Sequence, residues 1–163
     1  MQWTVVLLWL LTLVIAVLRW SAPQIVAWLP PTLATQVGPA GLSSGVRIAG
    51  FLVELLPLVA AAYALAALFR ICSAYAKGEL FRRETGVQYR RFGTGLLLLG
   101  GANALYTATL SGLLSMAVQG KLSISVGLST ADLYLLIVGG AVQMLGVVMD
   151  EAYRLHDENS QIV

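Results

Sequence analysis

The chain has 163 residues, of which 58% are hydrophobic and only 11% are charged, and its mean hydropathy is +0.82. A soluble domain usually carries about twice that charged fraction, so the composition excludes an ordinary soluble globular protein. The 10 basic and 8 acidic residues are unevenly placed, with eight of them in segment 70–91 and five in segment 150–163. The remainder is almost uncharged and long enough to cross a bilayer several times, which predicts an all-α membrane protein.

Four apolar stretches are candidates for transmembrane helices. A bilayer core of about 30 Å requires about 20 mostly apolar residues in a helix. The predicted spans lie at about 3–20, 48–69, 92–118 and 133–149. The first span lacks the basic leader of a signal peptide, and a bulky Trp20 stands at the candidate cleavage site, so we expect an uncleaved anchor. The sequence therefore predicts one integral membrane domain, residues 1–163, built as a four-transmembrane-helix bundle.

The distribution of Lys and Arg predicts the topology. Segments 70–91 and 150–163 together carry seven of these residues, whereas the other side would carry only Arg19, Arg47 and Lys121. Lys and Arg are enriched in cytoplasmic loops. We therefore expect both termini, a basic loop 70–91 and the tail 150–163 in the cytoplasm of a bacterial cell, and loops 21–47 and 119–132 on the outer side of its inner membrane.

Small residues predict how the helices pack, because helices in lipid associate where small side chains allow close approach. On the third span they recur every four residues, at Gly100, Ala104, Ala108 and Gly112. On the fourth span Gly139, Gln143, Gly146 and Asp150 share one face. We expect these two faces to form the interior of the bundle, with contact to a separate partner protein as the alternative.

Two uncharged polar residues, Asn103 and Gln143, are predicted near the middle of the membrane. We expect them to hydrogen-bond to each other and join the third and fourth spans, an interaction that contributes about 0.6 kcal/mol in such settings. The alternative is a pair that binds a substrate.

Glu54 is an ionisable residue within the second predicted span, and it is the strongest candidate there for a functional residue. Such a group costs about 2.5–3.5 kcal/mol at the centre of a span and is a functional candidate by default. It lies only about 10 Å along the helix from Arg47, however. We expect a shallow carboxylate that is hydrated or paired with a basic side chain such as Arg19 or Lys121, with a proton or ligand site as the alternative.

Several kinds of site lack the residues they need. The only histidine is His156, in the tail, and the only cysteine is Cys72. A cysteine-rich zinc site and an intrachain disulfide are therefore excluded, and we do not expect a bis-histidine haem. The sequence contains neither a phosphate-binding glycine loop nor a Ser/His/Asp set. We expect no catalytic residue, cofactor or metal, and hence no enzyme.

The two charged segments have opposite signs and are the candidate interaction surface. The loop has a net charge of +4 from six basic and two acidic residues, and the tail has −3 from one basic and four acidic residues. We expect them to pair with each other, and the basic residues to contact anionic headgroups. The candidate residues are Lys77, Gly78, Phe81, Arg82, Arg83, Arg90 and Arg91 in the loop and Asp150, Glu151, Asp157, Glu158 and Asn159 in the tail.

The stretch KGELFRRETGVQYRRFG at residues 77–93 and the ending AYRLHDENSQIV at residues 152–163 resemble the YoaS-like family, a group of bacterial four-span membrane proteins classed as a domain of unknown function. The resemblance implies no enzymatic activity. It does imply a frequent genetic neighbour, a small helix-turn-helix regulator, and so suggests that the cytoplasmic face docks a protein partner.

These observations lead to two hypotheses of function. The first is a non-enzymatic membrane protein that does not itself bind nucleic acid and acts as an accessory subunit of a membrane complex or as a tether for a cytoplasmic regulator. The alternative is a small transporter or channel subunit that uses Glu54 and the pair Asn103 and Gln143, working as a homo-oligomer.

Overall fold

A computed structural model describes residues 2–21, 43–78 and 83–160, and these residues form four helices without any strand. The helices are α1 (Gln2–Ser21), α2 (Ser44–Ala76), α3 (Arg83–Gln119) and α4 (Thr130–Ser160). By length and composition, three of them, α2, α3 and α4, are able to cross a membrane, and α1 contributes the shorter apolar stretch Trp9–Ser21. The all-α, membrane-type fold is confirmed. Most of the predicted outer loop, residues 22–42, lies outside the described residues.

The helices are longer than the apolar spans that the sequence predicts. Helix α2 has 33 residues, or about 50 Å, and it continues past Arg70 to Ala76. Helix α3 begins at Arg83 and includes Arg90 and Arg91. Much of the predicted basic loop is therefore helix. Gly78, with a φ of +73° that L side chains rarely adopt, forms the turn after α2.

Helix packing follows the order of the chain. Helix α1 packs on α2, α2 on α3, and α3 on α4. Within the described residues no comparable packing joins α4 to α1 or α2. The four helices thus form a row of neighbours and do not surround a common centre. Many large apolar side chains point outward as a consequence, for example Met144 and Val148, as expected where lipid is the solvent.

The tightest contact in the row joins α3 to α4 through five glycines, which we call the glycine seam: Gly86, Gly93, Gly100, Gly139 and Gly146. A Cβ atom placed on Gly93 would lie 2.7 Å from the carbonyl oxygen of Gly139, and one placed on Gly139 would lie 3.0 Å from that of Gly93. The members on each helix are seven residues apart, a spacing that keeps one face toward a neighbouring helix. The predicted packing role of Gly100, Gly139 and Gly146 is confirmed.

The predicted ridge of small residues on α3 joins α4 only at its beginning. A Cβ on Gly100 would meet α4, at Leu136, but one on Gly112 would meet Ile124 and Leu122 at 3.5 and 3.6 Å, in the segment before α4. The reason is the position of α4, which begins beside Asn103, so that Ala108 and Gly112 lie beyond its start along α3. Ala104 and Ala108 are correspondingly half-buried.

The other two helix contacts also depend on a glycine. The ring of Trp20 in α1 lies directly against Gly50 of α2. A Cβ on Gly95 of α3 would lie 2.8 Å from the Cα of Ala64, which is buried on α2. Small residues thus set the spacing at each contact between neighbouring helices.

The glycine seam predicts a position-specific effect of an added methyl group. Gly93→Ala should lower the free energy of unfolding by about 1–3 kcal/mol, because the new Cβ collides with the backbone of α4. The measurement is reversible unfolding by sodium dodecyl sulfate in mixed micelles. Gly101→Ala, on the same helix with open space around it, is the matched control and should not lose stability. An equal loss in both variants would contradict the seam.

Candidate functional site

The carboxylate of Glu54 is held by two donors from the end of α1. Arg19 forms an ion pair with Oε1, and the indole N–H of Trp20 donates to Oε2. Only 12% of the Glu54 side chain is exposed. The expectation of a carboxylate paired with a basic side chain is confirmed, and the partner is Arg19.

Local helix geometry explains why these groups meet. Gly50 and Glu54 are one turn apart on the same face of α2. The ring of Trp20 fits against Gly50, and this contact brings its N–H to the carboxylate one turn further along. Arg19 also donates to the hydroxyl of Tyr106 on α3, at 3.4 Å. One polar cluster therefore ties α1, α2 and α3 together.

The predicted hydrogen bond between Asn103 and Gln143 is wrong. The amide of Asn103 donates to Oδ1 of Asp132 at 3.0 Å, and that of Gln143 donates to the hydroxyl of Thr94 at 2.8 Å. Both bonds join α3 to α4, as predicted, but at different levels. Gln143 lies against Gly93, and ten residues of helix separate that level from Asn103 by about 15 Å.

Asp132 is not among the predicted site residues. It is buried in the first turn of α4, where it bonds to several neighbours. It is 5% exposed. Its Oδ2 accepts from the N–H of Ser129 at 2.9 Å and from the Ser129 hydroxyl at 2.7 Å, while the Ser129 hydroxyl accepts from the Asp132 N–H. This reciprocal arrangement is a capping box. The pattern Ser-x-x-Asp before an apolar run was the signal in the sequence.

One contact joins the basic loop to the acidic tail. Arg90 and Asp150 form an ion pair of 2.7 Å, with side chains 48% and 29% exposed. The carboxylate of Asp150 lies directly against Gly86, where a Cβ would occupy the same space. The first glycine of the seam therefore makes room for the ion pair, and the predicted pairing of the two segments is confirmed at this position.

The other candidates for cytoplasmic interaction divide into two groups. Lys77 and Arg91 are exposed, and Glu151 is exposed and pairs with Arg154 one turn away, at 2.9 Å. Phe81 and Arg82 lie outside the described residues, as do the side chains of Arg83, Asp157, Glu158 and Asn159. Pairing between these last residues stays a prediction.

Two serines of α3 hold the segment that precedes α4. Ser111 and Ser115 are fully buried. Their hydroxyls accept from the backbone N–H groups of Ser125 and Ser123 respectively, each at 2.9 Å. Four residues of helix advance about 6 Å and two extended residues advance about 6.6 Å, so the two spacings match. The segment therefore runs extended along α3.

The side chains of Glu54, Asn103 and Gln143 bond to residues of neighbouring helices, which is the chemistry of structural contacts. Among the described residues no group of three or more His, Cys, Asp or Glu side chains is placed to hold a metal ion. The fold and this polar chemistry define an all-α protein with three helices able to cross a membrane. The chain matches no family model, and it matches none of the curated proteins or solved structures with which it was compared. The resemblance to the YoaS-like family thus stays a prediction.

The hydrogen-bond partners of Gln143 predict a specific energetic coupling. A double-mutant cycle of Thr94→Val and Gln143→Leu should give a coupling of about 0.6 kcal/mol, the average for such bonds in membrane proteins. The same cycle with Asn103→Leu and Gln143→Leu should give none. Unfolding by sodium dodecyl sulfate measures both. Coupling in the second cycle alone would contradict the register of α3 and α4.

The ion pair of Glu54 predicts a loss of stability on neutralisation. Glu54→Gln should cost about 2 kcal/mol, less than the loss for a fully buried pair, because 28% of the Arg19 side chain is exposed. Replacing both Arg19 and Glu54 with Met should restore part of this loss, since no charge is then left unpaired. Glu151→Gln removes a carboxylate that is 53% exposed and should change stability by less than about 0.5 kcal/mol. If Glu54→Gln is as mild as this control, the ion pair is not structural.

Proposed function

We propose that this chain is a non-enzymatic, four-span protein of a bacterial inner membrane, with both termini in the cytoplasm, and that it acts by binding proteins. It serves as an accessory subunit of a membrane complex or as a tether for a cytoplasmic regulator. The observation that carries this proposal is the contrast between polar groups in the spans, which bond to one another, and exposed charges at one end of the helices.

The polar residues within the spans support a structural role. Glu54 has a donor at each carboxylate oxygen. Asn103 and Gln143 each bond to a residue of the neighbouring helix. A transporter needs polar groups that exchange partners with a substrate or ion, and such groups are engaged here in holding helices together. This arrangement favours protein contact over the alternative of a transporter or channel subunit.

The exposed charged residues at one end of the helices, Arg70, Lys77, Arg91 and Glu151, have the properties of a docking surface. Helices α2, α3 and α4 extend beyond their apolar spans, so Arg70, Arg91 and Glu151 lie on helices and are exposed. A side chain on a helix is held in a defined position, which lowers the conformational entropy lost on binding. Complementary charges then select the partner and accelerate encounter. The same basic residues are suited to anionic headgroups.

The resemblance of residues 77–93 and 152–163 to the YoaS-like family adds a candidate partner. A small helix-turn-helix regulator encoded beside members of that family fits a cytoplasmic docking surface. In this proposal the regulator contacts nucleic acid, and the membrane protein contacts only the regulator and the lipid.

Purification in a gentle detergent followed by native mass spectrometry tests the proposal. We expect a stoichiometric protein partner. The double variant Lys77→Glu and Arg91→Glu should lose this partner, because it reverses two of the exposed basic charges at this end of the helices. Lys121→Glu reverses an exposed charge at the opposite end of α3 and should retain the partner. A pure homo-oligomer of the wild-type chain would instead favour the transporter or channel subunit.

A further inference from the structure

Two exposed arginines, Arg70 on α2 and Arg91 on α3, lie at nearly the same height along the contact between these helices. The two helices pack side by side and run antiparallel, because the short connection 77–82 joins the end of one to the start of the other. Gly95 of α3 lies directly against Ala64 of α2. Arg70 is six residues after Ala64, and Arg91 is four residues before Gly95. Both arginines are thus displaced from this contact in the same direction, by about 9 and 6 Å.

The two arginines also lie on the same side of the helix pair. A bond between the hydroxyls of Tyr75 on α2 and Tyr89 on α3, 2.7 Å long, marks the other side. Each residue of a helix is rotated by about 100° from the one before it. Arg70 is therefore rotated by about 140° from Tyr75, and Arg91 by about 160° from Tyr89. Both guanidinium groups thus start from the side of the pair that the tyrosines leave free.

This pair of positive charges has no acidic partner in the part of the chain that the structure describes. Arg90 is paired with Asp150, but no ion pair involves Arg70 or Arg91. Glu84 shares a face of α3 with Arg91 but is seven residues away, or about 10 Å along the helix. Two neighbouring guanidinium groups repel each other, and an anion bound between them is attracted to both.

An exposed apolar surface continues from each arginine along its helix, away from the charged end. At intervals of seven residues, which keep to one helix face, the exposed side chains are Tyr63 and Leu56 on α2 and Leu98 and Leu105 on α3. These two rows extend about 21 Å from the arginines, whereas half of a bilayer core is about 15 Å thick. The surface thus changes from paired positive charge to apolar in the order in which a phospholipid changes from headgroup to acyl chain.

We propose that Arg70 and Arg91 bind the phosphate of one anionic phospholipid, whose acyl chain lies along the apolar rows of α2 and α3. Guanidinium groups donate paired N–H bonds to phosphate oxygens, and basic sites between transmembrane helices are typical of headgroup binding. This inference deepens the proposed function, on which it rests for the assignment of basic residues to anionic headgroups, and it specifies the residues and one lipid per chain.

The surroundings of the pair favour a lipid over a cytoplasmic protein. Arg70 and Arg91 adjoin side chains that face the bilayer core in the proposed topology. Lys77 lies seven residues further from the apolar rows than Arg70, or about 10 Å. A protein that approaches from the cytoplasm therefore meets Lys77 before it reaches the arginine pair.

The test titrates the full chain, purified in a gentle detergent, with phosphatidylglycerol or with phosphatidylcholine of the same acyl chains, and native mass spectrometry counts the bound lipids. One phosphatidylglycerol should bind about tenfold more tightly than phosphatidylcholine, because the arginines repel the choline cation. Arg70→Gln and Arg91→Gln should each weaken phosphatidylglycerol binding about tenfold, since each removes charge-assisted hydrogen bonds. Lys121→Gln removes an exposed charge at the opposite end of α3 and should bind within about twofold of wild type.

Circular dichroism verifies that the variants are folded. Equal affinity of the wild-type chain for the two lipids would overturn the proposal, as would equal binding by the Arg91→Gln and Lys121→Gln variants. Displacement of the lipid by millimolar glycerol phosphate would assign the pair to a soluble phosphate ester and would also overturn it. So would an Arg70→Gln variant that loses a protein partner but keeps selective lipid binding.

The outcome is separable from that of the proposed function. Selective binding of phosphatidylglycerol by a chain that purifies without any protein partner would support the lipid site and contradict the docking role. A stoichiometric partner on a chain that does not distinguish the two lipids would overturn the lipid site and leave the docking role intact.

Discussion

The close approach of α3 and α4 along the glycine seam is the constraint on which the other polar contacts depend. With backbone against backbone at Gly93 and Gly139, the two helices have one possible register. That register places Thr94 beside Gln143, Asn103 beside Asp132 and Arg90 beside Asp150. A larger residue in the seam would separate the helices and lengthen these bonds together. The polar contacts therefore specify a geometry that the glycines make possible.

The row of helices also explains where polar side chains are tolerated within the spans. Glu54, Asn103 and Gln143 each bond to a neighbouring helix, and an unpaired polar group facing hydrocarbon would cost several kcal/mol. Glu54 shows the principle most clearly. Its two donors come from α1, the helix with the least extensive packing in the row. The ion pair and the indole bond thus fix a helix that few apolar contacts hold.

The sequence predicts which segments are helical, but it does not predict the position of each helix along the axis of its neighbour. Long apolar runs identify α2, α3 and α4, and the depth of Glu54 indicates a hydrated or paired carboxylate with Arg19 or Lys121 as candidate partners, of which the structure shows Arg19. The predicted pair of Asn103 and Gln143 is wrong because it requires the ends of α3 and α4 to lie at the same height. In fact α4 begins beside Asn103, and α3 continues for 16 further residues to Gln119, or about 24 Å. No local pattern reveals such an offset, although the seven-residue spacing of Gly86, Gly93 and Gly100 was available as a signal of the true contact face.

That offset creates the two kinds of surface at opposite ends of α3. Where α3 continues beyond the start of α4, an extended segment lies along α3 and bonds to its buried serines. The N–H groups of this segment that face α3, those of Ser123 and Ser125, are satisfied by Ser115 and Ser111. At the other end α3 and α4 are paired, and their charged turns lie side by side around Arg90 and Asp150. The position of α4 along α3 thus decides both which backbone groups the two serines satisfy and which charged side chains lie opposite each other.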